Sequence, residues 1–299
     1  MKHTVFIGSV ISSKIALETI IEQGVRVDLV CALDEEAAAN VSDYYPIYQI
    51  AEKYQIPYIK FKKINEDDVV QRIQEATPDF IFVIGLSQII SIDILKLARE
   101  YAVGFHPTPL PKYRGRAALP WMILLGERKL KVTILKLDQG MDSGDIICQY
   151  PYEIGETDYV TDVYDRVCEA MRLGLIQCLL DIYDGSVEFR SQNEDEATYL
   201  LIRRPEDGRI DWKQTAVDIA RLVRAASRPY PGAFTGYSDV RFVIWRAYAV
   251  ENKQYIGLPG QIAWIHDDGE IGVITGEGIL AITEYEYEGK RLLVGHKFS

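Results

Sequence analysis

The segment Val103-Gly104-Phe105-His106-Pro107-Thr108-Pro109-Leu110-Pro111-Lys112-Tyr113-Arg114-Gly115-Arg116-Ala117 holds three prolines within five residues, at 107, 109 and 111. Prolines so spaced forbid a regular helix or a central strand, so His106 is expected where a strand hands over to a stiff loop. Rigid loops at strand ends are good mounts for catalytic groups, and an imidazole there can donate, accept and shuttle a proton near neutral pH. A structural turn around a packed histidine explains the same residues equally well.

A second segment, Leu137-Asp138-Gln139-Gly140-Met141-Asp142-Ser143-Gly144-Asp145-Ile146, reads as a glycine-bearing acidic turn between two strands. The Asp-x-Asp-x-Asp-Gly spacing of a calcium loop is absent, and no metal site is expected. Asp145 and Asp138 read most simply as solvated turn residues.

Strands and helices must carry these two loops. Val5–Gly8 reads as a short buried strand, Ser13–Gln23 as a helix and Val27–Leu33 as a second strand, a βαβ opening. The alternation continues through a helix near Ile47–Tyr54, a strand at Tyr58–Phe61, a helix near Asp67–Ala76 and the strand Phe80–Ile84. This order predicts an α/β fold with a doubly wound, Rossmann-like sheet, whose ligand sites lie at the carboxyl ends of the strands. The loop after the first strand, Gly8-Ser9-Val10-Ile11-Ser12-Ser13, has one glycine where Gly-x-Gly-x-x-Gly is needed, so a nicotinamide cofactor is not expected. Asp34, after the second strand, imitates a ribose-binding acid but reads better as a turn residue.

Farther on, Lys131–Leu137 and Ile146–Tyr152 read as strands, and Asp158–Tyr183 as a long helix stopped by Gly185. The polar, acidic stretch Ser191–Ala197 suggests a boundary, giving a catalytic domain over 1–195 and a second domain over 196–299. The second would hold a helix at Ala216–Ala226 and short strands at Phe242–Trp245, Gln261–Ile265, Ile271–Thr275 and Ile279–Ile282, a small β-rich, OB-like module.

With 48% apolar and 26% charged residues, the 299-residue chain has the composition of a soluble globular protein. Its formal net charge of −11 argues against a broad grip on nucleic acid, which needs clustered Lys and Arg. Cys31, Cys148, Cys168 and Cys178 form no CxxC pair and read as reduced, packed thiols. No export signal opens the sequence and no apolar run is long enough to span a bilayer, so a cytoplasmic protein with no membrane partner is expected.

The run His106 to Ala117 resembles the His-x-Ser-Leu-Leu-Pro-x-x-Arg-Gly loop of the formyltetrahydrofolate-dependent formyltransferases. The turn Asp142–Asp145, 36 positions after His106, is similar to that family's Asp-[Ser/Thr]-Gly-Asp turn. The likeness continues through Arg203–Trp212 and Val223–Phe234, segments similar to the second domain of nucleotide-sugar formyltransferases, notably the domain that formylates UDP-4-amino-arabinose. About residues 1–250 are covered.

The resemblance implies N10-formyltetrahydrofolate as formyl donor, His106 as general acid/base and oxyanion stabiliser, and Asp142 as its partner. It makes Gly85–Ile90 the pterin cradle, with Leu86, Ser87, Gln88 and Ile90, and with Leu110, Asp138 and Gly140 nearby. An ordinary strand-to-helix connection accounts for the same loop. The family's Asn, two residues before the histidine, is replaced here by Gly104. One oxyanion donor contributes about 3 kcal/mol, so a backbone N–H, a water or a side chain such as Gln88 is expected to substitute.

The acceptor expected on this basis is the amine of a UDP- or dTDP-linked amino sugar, a 4-amino-4,6-dideoxyhexose. Ser9, Arg114 and Arg116 would meet its pyrophosphate, though helix caps or surface ion pairs account for them equally, and Tyr230 or Trp245 would stack on its base unless packed in the core. Methionyl-tRNA is the alternative acceptor, disfavoured by charge, and a catalytically silent binding protein is the alternative class. A homodimer is expected.

Overall fold

The structure, a computed structural model, describes residues 2–39 and 41–299. In chain order its elements are β1 Thr4–Gly8, α1 Ile11–Glu22, β2 Leu29–Leu33, α2 Tyr48–Lys53, β3 Tyr58–Phe61, α3 Asp67–Glu75, β4 Phe80–Val83, α4 Ile92–Leu95 and β5 Tyr101–His106. There follow β6 Arg114–Gly115, α5 Ala118–Leu125, β7 Lys129–Lys136, β8 Ile146–Glu153, α6 Val160–Asp184 and β9 Tyr199–Leu200. The rest are α7 Ala216–Ala226, β10 Ala233–Tyr237, β11 Val240–Val250, β12 Ile262–Ile265, β13 Ile271–Ile274 and β14 Ile279–Glu286.

Seven strands form one sheet in the order β3-β2-β1-β4-β5-β7-β8. The pairs from β3 to β5 are parallel, and β7 joins β5 antiparallel with His106 opposite Thr133. Both faces are apolar. Phe6, Val30, Phe82 and Val103 pack under α1 and α6 through Leu17, Ile20, Leu175 and Leu179. Val5, Ile7, Cys31 and Ile81 face the other way, toward Val69, Ile73 and Ile94. Parallel strands need this double cover, and it accounts for their unbroken apolar runs.

The predicted α/β class and doubly wound order are therefore the ones observed. The first helix starts two residues earlier than its apolar spacing predicts, because Ser13 Oγ accepts the Val10 amide at 3.1 Å and closes the first turn. Gly185 ends α6 with φ of 79°, a left-handed position open to glycine. The second sheet is antiparallel in the order β10-β11-β14-β13-β12, packed on Ile219, Ala220 and Val223 of α7. Strand β11 outruns the predicted Phe242–Trp245 because it pairs on both edges, with β10 and with β14.

The chain divides into two compact units whose segments interleave. One comprises Met1–Gly115, Lys129–Tyr152 and Asp165–Leu200, the other Arg116–Arg128, Glu153–Tyr164 and Leu201–Ser299. The four cysteines are buried and none is in a disulfide. Among the described residues no helix is long and apolar enough to cross a membrane.

Candidate active site

His106 is the last residue of β5 and only 5% exposed. The loop after it is fastened at nearly every step. Tyr152 donates to the Pro107 carbonyl at 2.8 Å, Thr133 to the Thr108 carbonyl at 2.7 Å, and Gln149 to the Leu110 carbonyl at 2.9 Å. Thr108 Oγ1 donates across the loop to the Lys112 carbonyl at 3.0 Å. Prolines stiffen this backbone and remove its amide donors, so the loop is held through its carbonyls.

The ring of His106 is anchored by the same loop. Its Nε2 lies 2.8 Å from the Tyr113 carbonyl oxygen. A carbonyl only accepts, so Nε2 carries the hydrogen, and Nδ1 is the nitrogen left for proton exchange. Nδ1 lies 3.5 Å from Oδ2 of Asp142, so the structure brings the two predicted catalytic side chains together within the first unit. The separation is longer than a strong hydrogen bond.

Asp142 sits at φ of 53°, a left-handed conformation that Asp tolerates better than most residues. Its Oδ2 also accepts the Gly115 amide at 2.8 Å. Gly144 closes the turn where a Cβ would lie 1.7 Å from the Lys136 carbonyl oxygen, so no other residue fits. Asp138 Oδ1 accepts the Gly140 amide and the Ser143 hydroxyl, each at 2.9 Å. Asp145 accepts the Ser191 hydroxyl at 2.8 Å, a structural role for a residue expected to be merely solvated.

Three consecutive residues tie these loops together. Tyr113 anchors His106, Gly115 holds Asp142, and Arg114 between them is 1% exposed. Arg114 donates to both oxygens of Glu194 at 2.7 and 2.9 Å, to Gln192 Oε1 at 2.8 and 3.1 Å, and to the Tyr199 hydroxyl at 3.0 Å. The expectation that Arg114 offers a donor to a pyrophosphate is corrected. Its guanidinium is buried and saturated by protein acceptors, and hydrogen bonding to it holds the Glu194 carboxyl below its usual range.

Two other expected side chains are likewise engaged. Ser9 is fully buried and its hydroxyl donates to the Gly85 carbonyl at 2.8 Å, sealing the crevice between β1 and β4 instead of facing an anion. Gln88 holds two backbone groups, accepting from Ile64 N and donating to the Lys62 carbonyl, both at 2.8 Å. Leu110 is buried against Leu135 and Ile146, its amide bonded to the Thr108 carbonyl at 3.0 Å and its carbonyl to Gln149 at 2.9 Å, so it supports the loop from within.

Leu86 and Ile90 lie half-buried on the sheet core, Ser87 is exposed, and Ile89 stands 76% exposed between them. Asp138 and Gly140 are exposed. Arg116 is exposed and Tyr230 half-buried, both in the second unit. Among the described residues no group of three or more His, Cys, Asp and Glu is placed to hold a metal.

The volume beside Gly104 is occupied. A Cβ there would lie 2.4 Å from Leu137 Cδ2 and 2.9 Å from its Cγ, so the leucine fills the room of a side chain at this position. Sequence reading found Gly104 but missed its filler, and it missed Gln192 and Glu194 altogether. Their only signal was polarity, which read as a boundary.

The comparisons with known proteins give the family to which this doubly wound sheet and antiparallel module belong. Residues 4–179 match the formyl transferase family and residues 203–299 match the formyl transferase C-terminal domain. The chain belongs to this family and is a formyltransferase. A relative named methionyl-tRNA formyltransferase, from Agathobacter rectalis, is 30% identical over 291 residues, 97% of this chain and 93% of its own. An N-formyltransferase from Helicobacter canadensis, solved with folinic acid and dTDP-3-aminofucose, aligns with a TM-score of 0.68 at 17% identity, over 96% of this chain and all of that one. HypX from Aquifex aeolicus in complex with tetrahydrofolic acid aligns with a TM-score of 0.69 at 21% identity over 95% of this chain, which spans 44% of HypX. At these identities the structural likenesses show the fold alone.

Proposed function

We propose that this enzyme transfers the formyl group of N10-formyltetrahydrofolate to the amine of a nucleotide-linked amino sugar, with His106 and Asp142 as its reaction centre. The observation that carries the chemistry is the His106 ring, anchored through Nε2 with Nδ1 facing Asp142 at 3.5 Å. Leu86, Ile89 and Ile90 form an apolar surface at the carboxyl end of β4 that suits one face of a pterin, with Ser87 and the backbone at Asp138 and Gly140 as polar contacts.

Bound there, formyltetrahydrofolate supplies a formyl group activated on a tertiary nitrogen. Nδ1 of His106 takes the proton that the attacking amine must lose and returns one to the departing nitrogen. Asp142 holds the ring and balances its charge while the proton is on it. Because Leu137 fills the place of a side-chain amide at 104, the formyl oxygen is met by a backbone N–H or a water.

Charge favours the sugar as acceptor. A net charge of −11 suits a small ligand with one pyrophosphate better than an extended phosphate backbone. The name of the Agathobacter rectalis relative favours a second reading, methionyl-tRNA as acceptor. Formyl transfer measured with UDP- and dTDP-linked amino sugars beside methionyl-tRNA decides between them. Turnover with a sugar and none with the tRNA supports the first reading, and the reverse result replaces it by the second.

A further inference from the structure

We infer that Gln192 is a positioning residue for the reaction centre, holding Asp142 at its distance from His106 although it touches neither side chain. Its amide is bonded to full capacity. Nε2 donates to the carbonyls of Asp142 and Gly144, both at 2.7 Å, and Oε1 accepts from Arg114 Nε at 3.1 Å and Nη2 at 2.8 Å. Carbonyls only accept and a guanidinium only donates, so the amide has one workable orientation, with two hydrogens and two lone pairs all used.

The position asks for glutamine in particular. Glutamate accepts from Arg114 but sets a carboxylate against two carbonyl oxygens, leucine offers neither bond, and asparagine is one methylene shorter. Arg114 in turn lies between Tyr113, which anchors the imidazole, and Gly115, which anchors the carboxylate. Gln192 therefore references the left-handed Asp142 turn to the chain segment that fixes His106.

This bears on chemistry because the ring is held independently. With Nε2 pinned to Tyr113, a shift of the Asp142 turn changes the Nδ1–Oδ2 separation directly, and a misplacement of about 1 Å can cost about a hundredfold in rate. The inference rests on the proposed role of the His106–Asp142 pair, and two of its readouts are independent of substrate.

The test compares the parent protein with Gln192→Leu and Gln192→Glu. Expected are a fall in kcat of about 10- to 100-fold in both with KM for the formyl donor within about threefold. The 15N shift of His106 Nδ1 should move while that of Nε2 stays. A merely structural role would lower the melting temperature but leave kcat and both ring nitrogens unchanged in the folded variants, and that result overturns the inference. In the parent itself the Gln192 side-chain amide protons should exchange slowly with solvent, and fast exchange also overturns it, whether or not the variants fold. If the parent transfers formyl to no acceptor, the proposed function fails, while the ring shifts and amide exchange still decide the role of Gln192.

Discussion

Leu137 lies across Gly104, close enough that a Cβ at 104 would come within 2.4 Å of its Cδ2. Two positions far apart in chemical character thus share one volume. Position 137 continues β7 along β5, its amide donating to the Ala102 carbonyl at 2.8 Å, so the leucine is set by sheet register and not by a mobile loop.

Gly104→Asn by itself should therefore lower stability by about 1–3 kcal/mol through overpacking and should not raise turnover. Combined with Leu137→Ala, the asparagine gains room. The double variant is expected to melt above the single one and to turn over about tenfold or more faster than Leu137→Ala alone, because an added oxyanion donor contributes about 3 kcal/mol. Thermal melts and steady-state kinetics on the three variants check this.

His106→Asn should reduce formyl transfer by about 10²- to 10⁴-fold, the usual contribution of a positioned acid–base group. The proposed donor surface at Leu86–Ile90 belongs to the loop after β4 and His106 to the end of β5, so binding of folinic acid, followed by calorimetry, should change little. Loss of binding together with turnover would move the donor site elsewhere.

Asp142→Asn and Asp142→Ala should differ. Asn retains an acceptor for the Gly115 amide and tolerates the left-handed φ of 53°, so its turn stays formed while the charge facing His106 is gone. Both variants should lose turnover, but Ala should also lose about 1–2 kcal/mol of stability from the strained backbone and the orphaned amide. Denaturant melts beside kinetic assays separate the two effects.

Acid should loosen the Arg114 latch. Arg114 holds the Glu194 carboxyl below its ordinary value in the folded chain, so the ion pair contributes stability above that ordinary value. The contribution is lost as pH falls from the ordinary carboxylate range through the depressed folded value. Glu194→Gln should accordingly flatten the acid side of the stability–pH curve while leaving stability near pH 7 only slightly lower, since the carboxylate is largely solvated. Melting the parent and variant from pH 7 to pH 3 measures the difference.

Arg114→Lys should be costly despite keeping the charge. An ammonium cannot serve Gln192, both oxygens of Glu194 and Tyr199 with the geometry of a planar fork. A loss of about 1–3 kcal/mol is expected, read by denaturant unfolding.

The sequence by itself determined the doubly wound order, because parallel strands buried on both faces leave continuous apolar runs separated by helical spacing. The proposed reaction centre was legible only through the resemblance of two motifs, because the prolines around His106 and the glycines around Asp142 suit a structural turn equally well, and it is packing that sets the two side chains 3.5 Å apart. What only the tertiary structure decided was how side chains are spent. Arg114 and Ser9 read as anion donors, yet one is saturated by Glu194, Gln192 and Tyr199 and the other by Gly85. Gln192, 50 residues beyond Asp142, read as part of a polar boundary, and Leu137 as one more apolar residue of a strand. A hydrogen bond or a filled volume depends on which distant residues meet. That meeting is fixed by packing and register, and no local periodicity encodes it.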